Sequence, residues 1–422
     1  MRVIFWKPDT ECRVPNAEQA RALYVHVPFC GSKCAYCAFA SFVPAPGYRE
    51  RDVQGWLAAL NMEADLRLGG EGRERGRGFS SVFVGGGTPT FLTEAELEGL
   101  MVSVVAFAGA FGEGEMTVEA NPDSLTPGKA DVMRRFGVNR VSLGVQSLDE
   151  ILLGTLGRRH SPGDVRRAVR LLRARGFANI NFDLMFGLPG QGLDVWKRTV
   201  SEAVDMEPEH LSLYGLTVEP GTPLARRLDG VSGGSNTCQL PSDDDQADMY
   251  EWVVDFLAAQ GYLRYEISNF AREGFACRHN EAVWRGEDYI GLGPGAVSTE
   301  HGVRTTNASS LGAYIEAVQK IAAVPHNTNP ALRILSAAAN VERLSRDQRM
   351  SEYMFLGLRT AQGVSREGFS RRFGVDMMDI FGHILVKYSH DGVLAFEDDR
   401  IFLRPQYFFV ANAVLKFLIL DG

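Results

Sequence analysis

Residues 23–39 read Leu23-Tyr-Val-His-Val-Pro-Phe-Cys30-Gly-Ser-Lys-Cys34-Ala-Tyr-Cys37-Ala-Phe39, and this stretch decides the fold. Leu23 to Val27 alternates apolar and polar β-formers and is predicted as a strand. Pro28 ends regular pairing and releases the chain into a loop. Three of the chain's six cysteines then fall within eight residues, at a C-x3-C-x2-C spacing. Thiolates converging from a loop at a strand end suit a soft metal centre. Three ligands with no evident fourth leave one corner open, which suits a [4Fe–4S] cluster with a unique iron. The competing readings are a zinc knuckle completed by His26, and three ordinary buried cysteines.

The rest of the chain narrows the choice. Strand-like segments at Leu23–Val27, Ser81–Val84, Met116–Ala120, Arg140–Val145, Asn179–Met185 and His210–Tyr214 alternate with helical patterns. The helices are expected at Glu50–Leu68, Glu94–Phe107, Pro127–Phe136, Leu148–Leu156, Asp164–Arg175 and Leu193–Met206. Six βα units imply an α/β fold with a parallel sheet, an open (β/α)6 partial barrel whose ligands sit at the C-terminal strand ends. The Pro- and Asn-rich run Ala323–Pro330 marks a boundary. After it, short helices and two strands (Gly392–Phe396, Arg400–Leu403) resemble a small winged-helix-like α+β domain. The expected division is an N-terminal segment (1–22), the barrel (23–215), a barrel extension (216–325) and the C-terminal domain (326–422).

Composition bounds the partners. A formal net charge of −8 with no basic stripe argues against nucleic acid. Cys12, Cys238 and Cys277 are scattered and suggest no disulfide framework, and clustered reduced thiols fit a reducing cytoplasm. No run approaches the roughly 20 apolar residues of a membrane span.

Chemistry-bearing residues gather at successive strand ends. The second strand ends in Gly85-Gly86-Gly87-Thr88, where missing Cβ atoms let backbone approach a ligand. The third delivers Glu119 and Asn121, the fourth Gln146 with Arg158 one helix later, and the fifth Asp183. A ring of polar groups on one open face suits a ligand with an amine, a carboxylate, a ribose and an adenine.

The cysteine spacing resembles the radical S-adenosylmethionine (SAM) superfamily. The long motifs YVHVPFC, GGGTPT, VEANPDSL, NRVSLGVQS, INFDLMFGLPGQ and HNEAVWRGEDYIGLGPGAVS resemble the oxygen-independent coproporphyrinogen III oxidase family, over nearly the whole chain. The resemblance implies that Cys30, Cys34 and Cys37 bind the cluster, with Tyr24 beside it. It implies Gly86, Gly87 and Thr88 along SAM, Glu119 and Arg158 at its methionyl end or ribose, Gln146 near the ribose, and Asp183 at a ribose hydroxyl or the adenine side. The dehydrogenases of that family carry a fourth cysteine two residues after the third, where this chain has Phe39. The sequence therefore resembles the HemW-like, heme-chaperone branch. That branch implies heme as cargo, recipient hemoproteins, an electron donor such as flavodoxin or ferredoxin, and a homodimer. The other reading is a radical enzyme that oxidatively decarboxylates coproporphyrinogen III or acts on another tetrapyrrole. In the box Cys277-Arg278-His279-Asn280-Glu281-Ala282-Val283-Trp284, His279 is a candidate heme ligand with Cys277 as its competitor, and Trp284 offers a flat face. The alternative is a histidine that satisfies backbone groups where the loop docks on the barrel.

Overall fold

The computed structural model describes residues 22–68, 79–109, 114–229, 239–322 and 338–420. Nearly all of the N-terminal segment, residues 69–78 and 230–238 (Cys238 among them), the boundary at 323–330 and Cys12 lie outside them.

Six parallel strands form the centre: β1 (Ala22–Val27), β2 (Ser81–Gly86), β3 (Glu115–Ala120), β4 (Arg140–Gln146), β5 (Ile180–Phe186) and β6 (His210–Gly215), hydrogen-bonded in chain order. The six predicted strands coincide with these to within a residue or two. Between them run α1 (Arg49–Leu68), α2 (Glu94–Ala108), α3 (Pro127–Arg135), α4 (Glu150–Leu156), α5 (Pro162–Ala174) and α6 (Leu193–Val204). Local chemistry sets their ends. Thr93 with Glu96, and Ser161 with Asp164, form reciprocal capping boxes at the starts of α2 and α5. After α5 the chain turns at Gly176 with φ +77°, and Phe177 N bonds back to Leu172 O.

Alternation along the strands sorts the residues. Leu23, Val25 and Val27 face the helices, with Val82, Val84, Val118, Val141 and Leu143 on the neighbouring strands. The opposite face is polar and lines a lumen: Tyr24 and His26, Glu119, Ser142, Asp183, Ser212 and Tyr214. Six parallel strands in chain order, with helices packed on one face and polar side chains on the other, are the α/β arrangement expected of the six βα units.

The sheet also extends beyond it. After α7 (Pro223–Leu228) and α8 (Asp243–Ala259), β7 (Leu263–Arg264) and β8 (Asn269–Ala271) continue it past β6. On the β1 side lie β9 (Tyr289–Leu292), parallel to β1, then β10 (Val297–Glu300), β11 (Val303–Thr306) and β12 (Asn340–Arg343). Strands of two to four residues carry too little periodicity to be read from sequence. Between β8 and β9 stands the short helix α9 (Arg278–Trp284), and α10 (Leu311–Ala322) packs on α1. Glu63 of α1 locks that corner. Its carboxylate accepts hydrogen bonds from Arg67 Nε (3.0 Å), Gly293 N (2.9 Å), Asn307 Nδ2 (2.8 Å) and Tyr314 OH (2.8 Å), which satisfies a buried charge.

The C-terminal domain packs α11 (Arg346–Gly357), α12 (Arg366–Phe373) and α13 (Met377–His390) around Phe369, Phe373 and Phe381. A three-stranded antiparallel sheet completes it, from β13 (Val364–Ser365), β14 (Leu394–Glu397) and β15 (Arg400–Leu403), with β15 central. This is the winged-helix-like arrangement expected. No helix among the described residues is long and apolar enough to cross a membrane.

Candidate metal centre and cofactor cleft

The cysteine loop leaves β1 through Pro28 and Phe29. Phe29 is fully buried, edge-on to Trp56 of α1 (ring centroids 5.5 Å) and to Phe42 (5.2 Å). Burying such a ring stabilises its position by about 2–3 kcal/mol, which anchors the residue before Cys30. The loop's arms are stitched together by Cys30 N to Phe42 O (3.0 Å) and Phe42 N to Pro28 O (2.8 Å). Lys33 Nζ closes it further, donating to Phe39 O, Ser41 O and Ser41 Oγ at 2.8–3.0 Å.

His26 is not available to a metal. Its Nε2 lies 2.8 Å from Ala40 O, so that nitrogen carries the proton, and Nδ1 accepts from Tyr24 OH at 2.9 Å. Burial pushes its pKa down and keeps the ring neutral. With both nitrogens engaged, the zinc-knuckle reading loses its fourth ligand. Gly86 leaves room for this ring, since a Cβ there would fall 2.4 Å from it.

All three cysteines are half-buried. Burial raises the Cys30 pKa, and the charges of Cys37 and Cys34 raise it further, so the three sulfurs share one electrostatic neighbourhood. Two receive hydrogen bonds. Thr88 Oγ1 donates to Cys30 Sγ (3.7 Å) and Arg158 to Cys34 Sγ (3.4 Å). Asn121 joins the two donors: its Nδ2 donates to Thr88 Oγ1 (3.0 Å), and its Oδ1 accepts from Arg158 (2.7 Å). Arg158 also donates to Gly144 O at 2.7 Å. Donors aimed at thiolate sulfurs are what an iron–sulfur ligand set requires. Among the described residues no group of three or more His, Cys, Asp or Glu side chains closes around a single ion position. A cubane is larger than one ion and spreads its thiolates farther apart. The residues present therefore fit a [4Fe–4S] group, which would supply a single electron to a sulfonium bound at its open iron.

Beside the loop, Gly86 N donates to Glu119 Oε2 (2.9 Å). Burial, reinforced by the Asp183 charge, pushes the Glu119 carboxyl up to about 8. A Cβ on Gly85 would strike that carboxyl at 2.7 Å, and one on Gly87 would strike Phe29 O at 2.6 Å. The glycine run is therefore used for packing against Glu119 and the cysteine loop. Gln146 closes β4 with φ +63° at a shift of the strand register, a strained placement at the barrel rim beside Gly144 and Arg158. Thr88, Glu119, Gln146 and Arg158 thus share the C-terminal mouth with the cysteines. Asn121 belongs with them, and its place on the third strand's end was its only sequence signal.

Asp183 lies deeper. It accepts from Ser142 Oγ and Asn181 Nδ2, both at 2.9 Å, and burial raises its pKa. Tyr24 stands at the same depth, its ring tilted against Phe83 and His279. The box lies at the opposite end from the cysteines. Glu115, the first residue of β3, accepts from Cys277 Sγ (3.3 Å), Arg278 N (3.2 Å) and His279 N (3.4 Å). His279 Nδ1 is 3.2 Å from Ser81 Oγ at the start of β2, the residue is 7% exposed, and burial with the nearby Arg140 charge drives its pKa down to about 4. Burial also raises the Cys277 pKa. Trp284 faces the C-terminal domain, with the Arg359 guanidinium 5.9 Å from its ring centroid. The structure does not bring His279, Cys277 or Trp284 together with the cysteine loop. Of the glycines after Tyr289, Gly293 approaches the backbone of His26 and Gly291 that of Val297.

The radical SAM superfamily profile matches residues 24–203, and the HemN C-terminal domain profile residues 344–408. The heme chaperone HemW of Bacillus subtilis is 32% identical over 93% of this chain and 98% of its own length. HemW of Mycobacterium tuberculosis H37Rv is 34% identical over 96% of each chain. Among solved structures, the coproporphyrinogen III oxidase HemN of Escherichia coli superposes with a TM-score of 0.79 at 22% identity, covering 96% of this chain and 91% of that one. That likeness shows a shared fold.

Proposed function

Because this chain belongs to the HemW family of radical SAM proteins, we propose that it is a heme chaperone: it binds heme and passes it to apo-hemoproteins. In this reading Cys30, Cys34 and Cys37 hold the cluster, with Arg158 and Thr88 hydrogen-bonded to two of the sulfurs. SAM lies along Gly86–Thr88 and is bounded by Glu119, Gln146, Arg158 and Asp183, with Tyr24 below. A flavodoxin or ferredoxin reduces the cluster, and the protein works in the cytoplasm as a homodimer. The residues fall into the segments 1–22, 23–215, 216–325 and 326–422.

The observation that favours carrier over decarboxylase is Phe39. It stands where the oxidases have a fourth cysteine, and its ring is 69% exposed. An apolar group in that place supplies neither a thiol nor a proton.

The test uses protein reconstituted without oxygen. It should be brown and hold about four irons per chain. Loaded with hemin, it should transfer heme to an apo-hemoprotein on mixing, read by the acceptor's own absorption bands. Protoporphyrinogen formed from coproporphyrinogen III, SAM and reductant would replace this reading with the enzymatic one.

A further inference from the structure

Three stretches of chain meet at Ala35, between Cys34 and Cys37. The end of α4 reaches it through Ala35 N to Leu156 O (2.9 Å), and the start of α7 through Leu224 N to Ala35 O (2.8 Å). The two helices are tied to each other as well, because Arg227 donates to Thr155 O at 2.8 Å. The turn after α4 closes on the loop at Gly31, where an added Cβ would stand 3.6 Å from the Arg159 guanidinium.

These stretches carry one sign of charge. Residues 30–43, 154–163 and 220–228 hold Lys33, Arg158, Arg159, Arg226 and Arg227 and no carboxylate, in a chain whose formal net charge is −8. Arg158 is used inside, on Cys34 Sγ and Asn121. The other four are exposed. Lys33 donates only to Phe39 O and to Ser41, and Arg227 to Thr155 O. Among the described residues none of the four has a carboxylate within ion-pair distance, the flanking Asp123, Glu219 and Asp229 included. Their charges are left to water. Beside Lys33 stands the one large apolar group of the loop's outer surface, the Phe39 ring. An exposed apolar centre with a charged rim is the anatomy of a protein interface. The thiolates lie just behind this face: Cys34 follows Lys33, Cys37 precedes Phe39 by two residues, and both are half-buried.

We infer that this face is where the reductant docks: a small acidic one-electron carrier protein whose carboxylates meet Lys33, Arg159, Arg226 and Arg227 and whose redox group comes to rest over the loop between Cys34 and Phe39. The assignment rests on the cluster and electron-donor reading above. Charge complementarity carries it. A negative chain repels an acidic partner as a whole, so a cationic face beside the thiolates steers the encounter to the one place where the electron is needed. One electron leaves the carrier and the cluster falls from its 2+ to its 1+ level, with no bond made or broken in this chain. A small patch of this kind suits the weak, transient encounters of electron transfer, which lets the spent carrier leave.

The experiment uses the reconstituted protein and an acidic flavodoxin as the probe. Two quantities are read: the affinity for oxidised flavodoxin by calorimetry, and the rate of cluster bleaching on mixing with fully reduced flavodoxin. Both should fall steeply with added salt, because screening weakens attraction between exposed charges. Arg159→Glu, Arg226→Glu and Arg227→Glu should each lower both several-fold at low salt, and the triple variant tenfold or more. Reduction by photoreduced deazaflavin, a small neutral donor, should stay at the wild-type rate in all of them, as should iron per chain. Arg371→Glu, on the C-terminal domain, should change neither quantity. Wild-type binding and reduction by flavodoxin in the triple variant overturn the assignment, as does an equal loss in Arg371→Glu, which would make net charge the cause. Slower heme transfer to an apo-hemoprotein in the triple variant, with flavodoxin reduction intact, would give the face to the recipient instead. A chain that takes up no iron would sink the cluster reading itself, and the docking face with it.

Discussion

Gly87→Ala tests how the glycine run supports the cysteine loop. The methyl group would sit 2.6 Å from Phe29 O and 2.8 Å from Val27 O, both backbone atoms that cannot rotate away. Relief requires moving residues 27–29 off the end of β2. Two hydrogen bonds span that gap, Gly87 N to Val27 O (2.7 Å) and Thr88 N to Phe29 O (2.8 Å). Overpacking a tight site costs about 1–3 kcal/mol, and each weakened hydrogen bond up to about 1 kcal/mol. The sum is about 1–5 kcal/mol, or roughly one to four orders of magnitude in the folded-to-unfolded ratio. Because Phe29 precedes Cys30, iron per chain should fall as well. Urea unfolding of the metal-free protein, followed by circular dichroism, measures the first effect, and iron analysis after reconstitution the second. Gly154→Ala is the opposing control. It lies within α4 with nothing within 4 Å of its Cβ, and alanine there should stabilise by about 1 kcal/mol. If Gly87→Ala unfolds at the wild-type urea concentration and reconstitutes fully, the reasoning about this contact fails.

Three further outcomes follow from the same geometry. Arg158→Met removes a cationic donor from Cys34 Sγ and leaves Asn121 Oδ1 and Gly144 O unpaired. It should lower the cluster's reduction potential in an EPR-monitored titration and cost about 2–4 kcal/mol of stability, at about 1–2 kcal/mol per orphaned acceptor. Glu119 has its carboxyl raised from 4.5 to about 8 in the folded chain, so the fold holds a proton that the unfolded chain has released between those values. Its contribution makes stability fall as pH rises through that window, by less than about 1.4 kcal/mol per pH unit. Glu119→Gln should remove that slope from urea curves recorded at pH 5, 6.5 and 8; an unchanged slope would assign it to other groups. Cys34→Ala should abolish the brown cluster absorption, while His279→Ala should keep it, since His279 sits at the other end of the strands.

Much of the fold was legible because strand and helix periods are local. Leu23–Val27 alternates, Ser161-Pro162 caps, Gly176 terminates, and each mark acts within a few residues. The short flanking strands were missed for the same reason: Leu263–Arg264 holds its place only through pairing with Phe270 and Ala271. The mouth of the barrel was legible in part, because parallel strands of similar length put their last residues at one level. Glu119 and Gln146 were read from that position and Arg158 from its place just past the next helix, while their roles toward SAM came only from the family resemblance.

The sequence by itself determined which residues could hold the cluster: three cysteines in one loop need no distant partner to be neighbours. It also determined, through the alternation of βα units, that the strands form a parallel sheet with helices packed outside it. Tertiary structure alone decided what surrounds them. Asn121 links Thr88 to Arg158 across three strand ends, and His26 is withdrawn from metal chemistry by Ala40, fourteen residues away. His279 meets Ser81 from 198 residues along the chain, at the strand starts instead of the mouth. Nothing local encodes which end of a barrel a returning helix will close. At that end the buried Glu115 carboxylate accepts from Cys277 Sγ and from the backbone N–H groups of Arg278 and His279, contacts that offset its desolvation and that only the folded chain brings together.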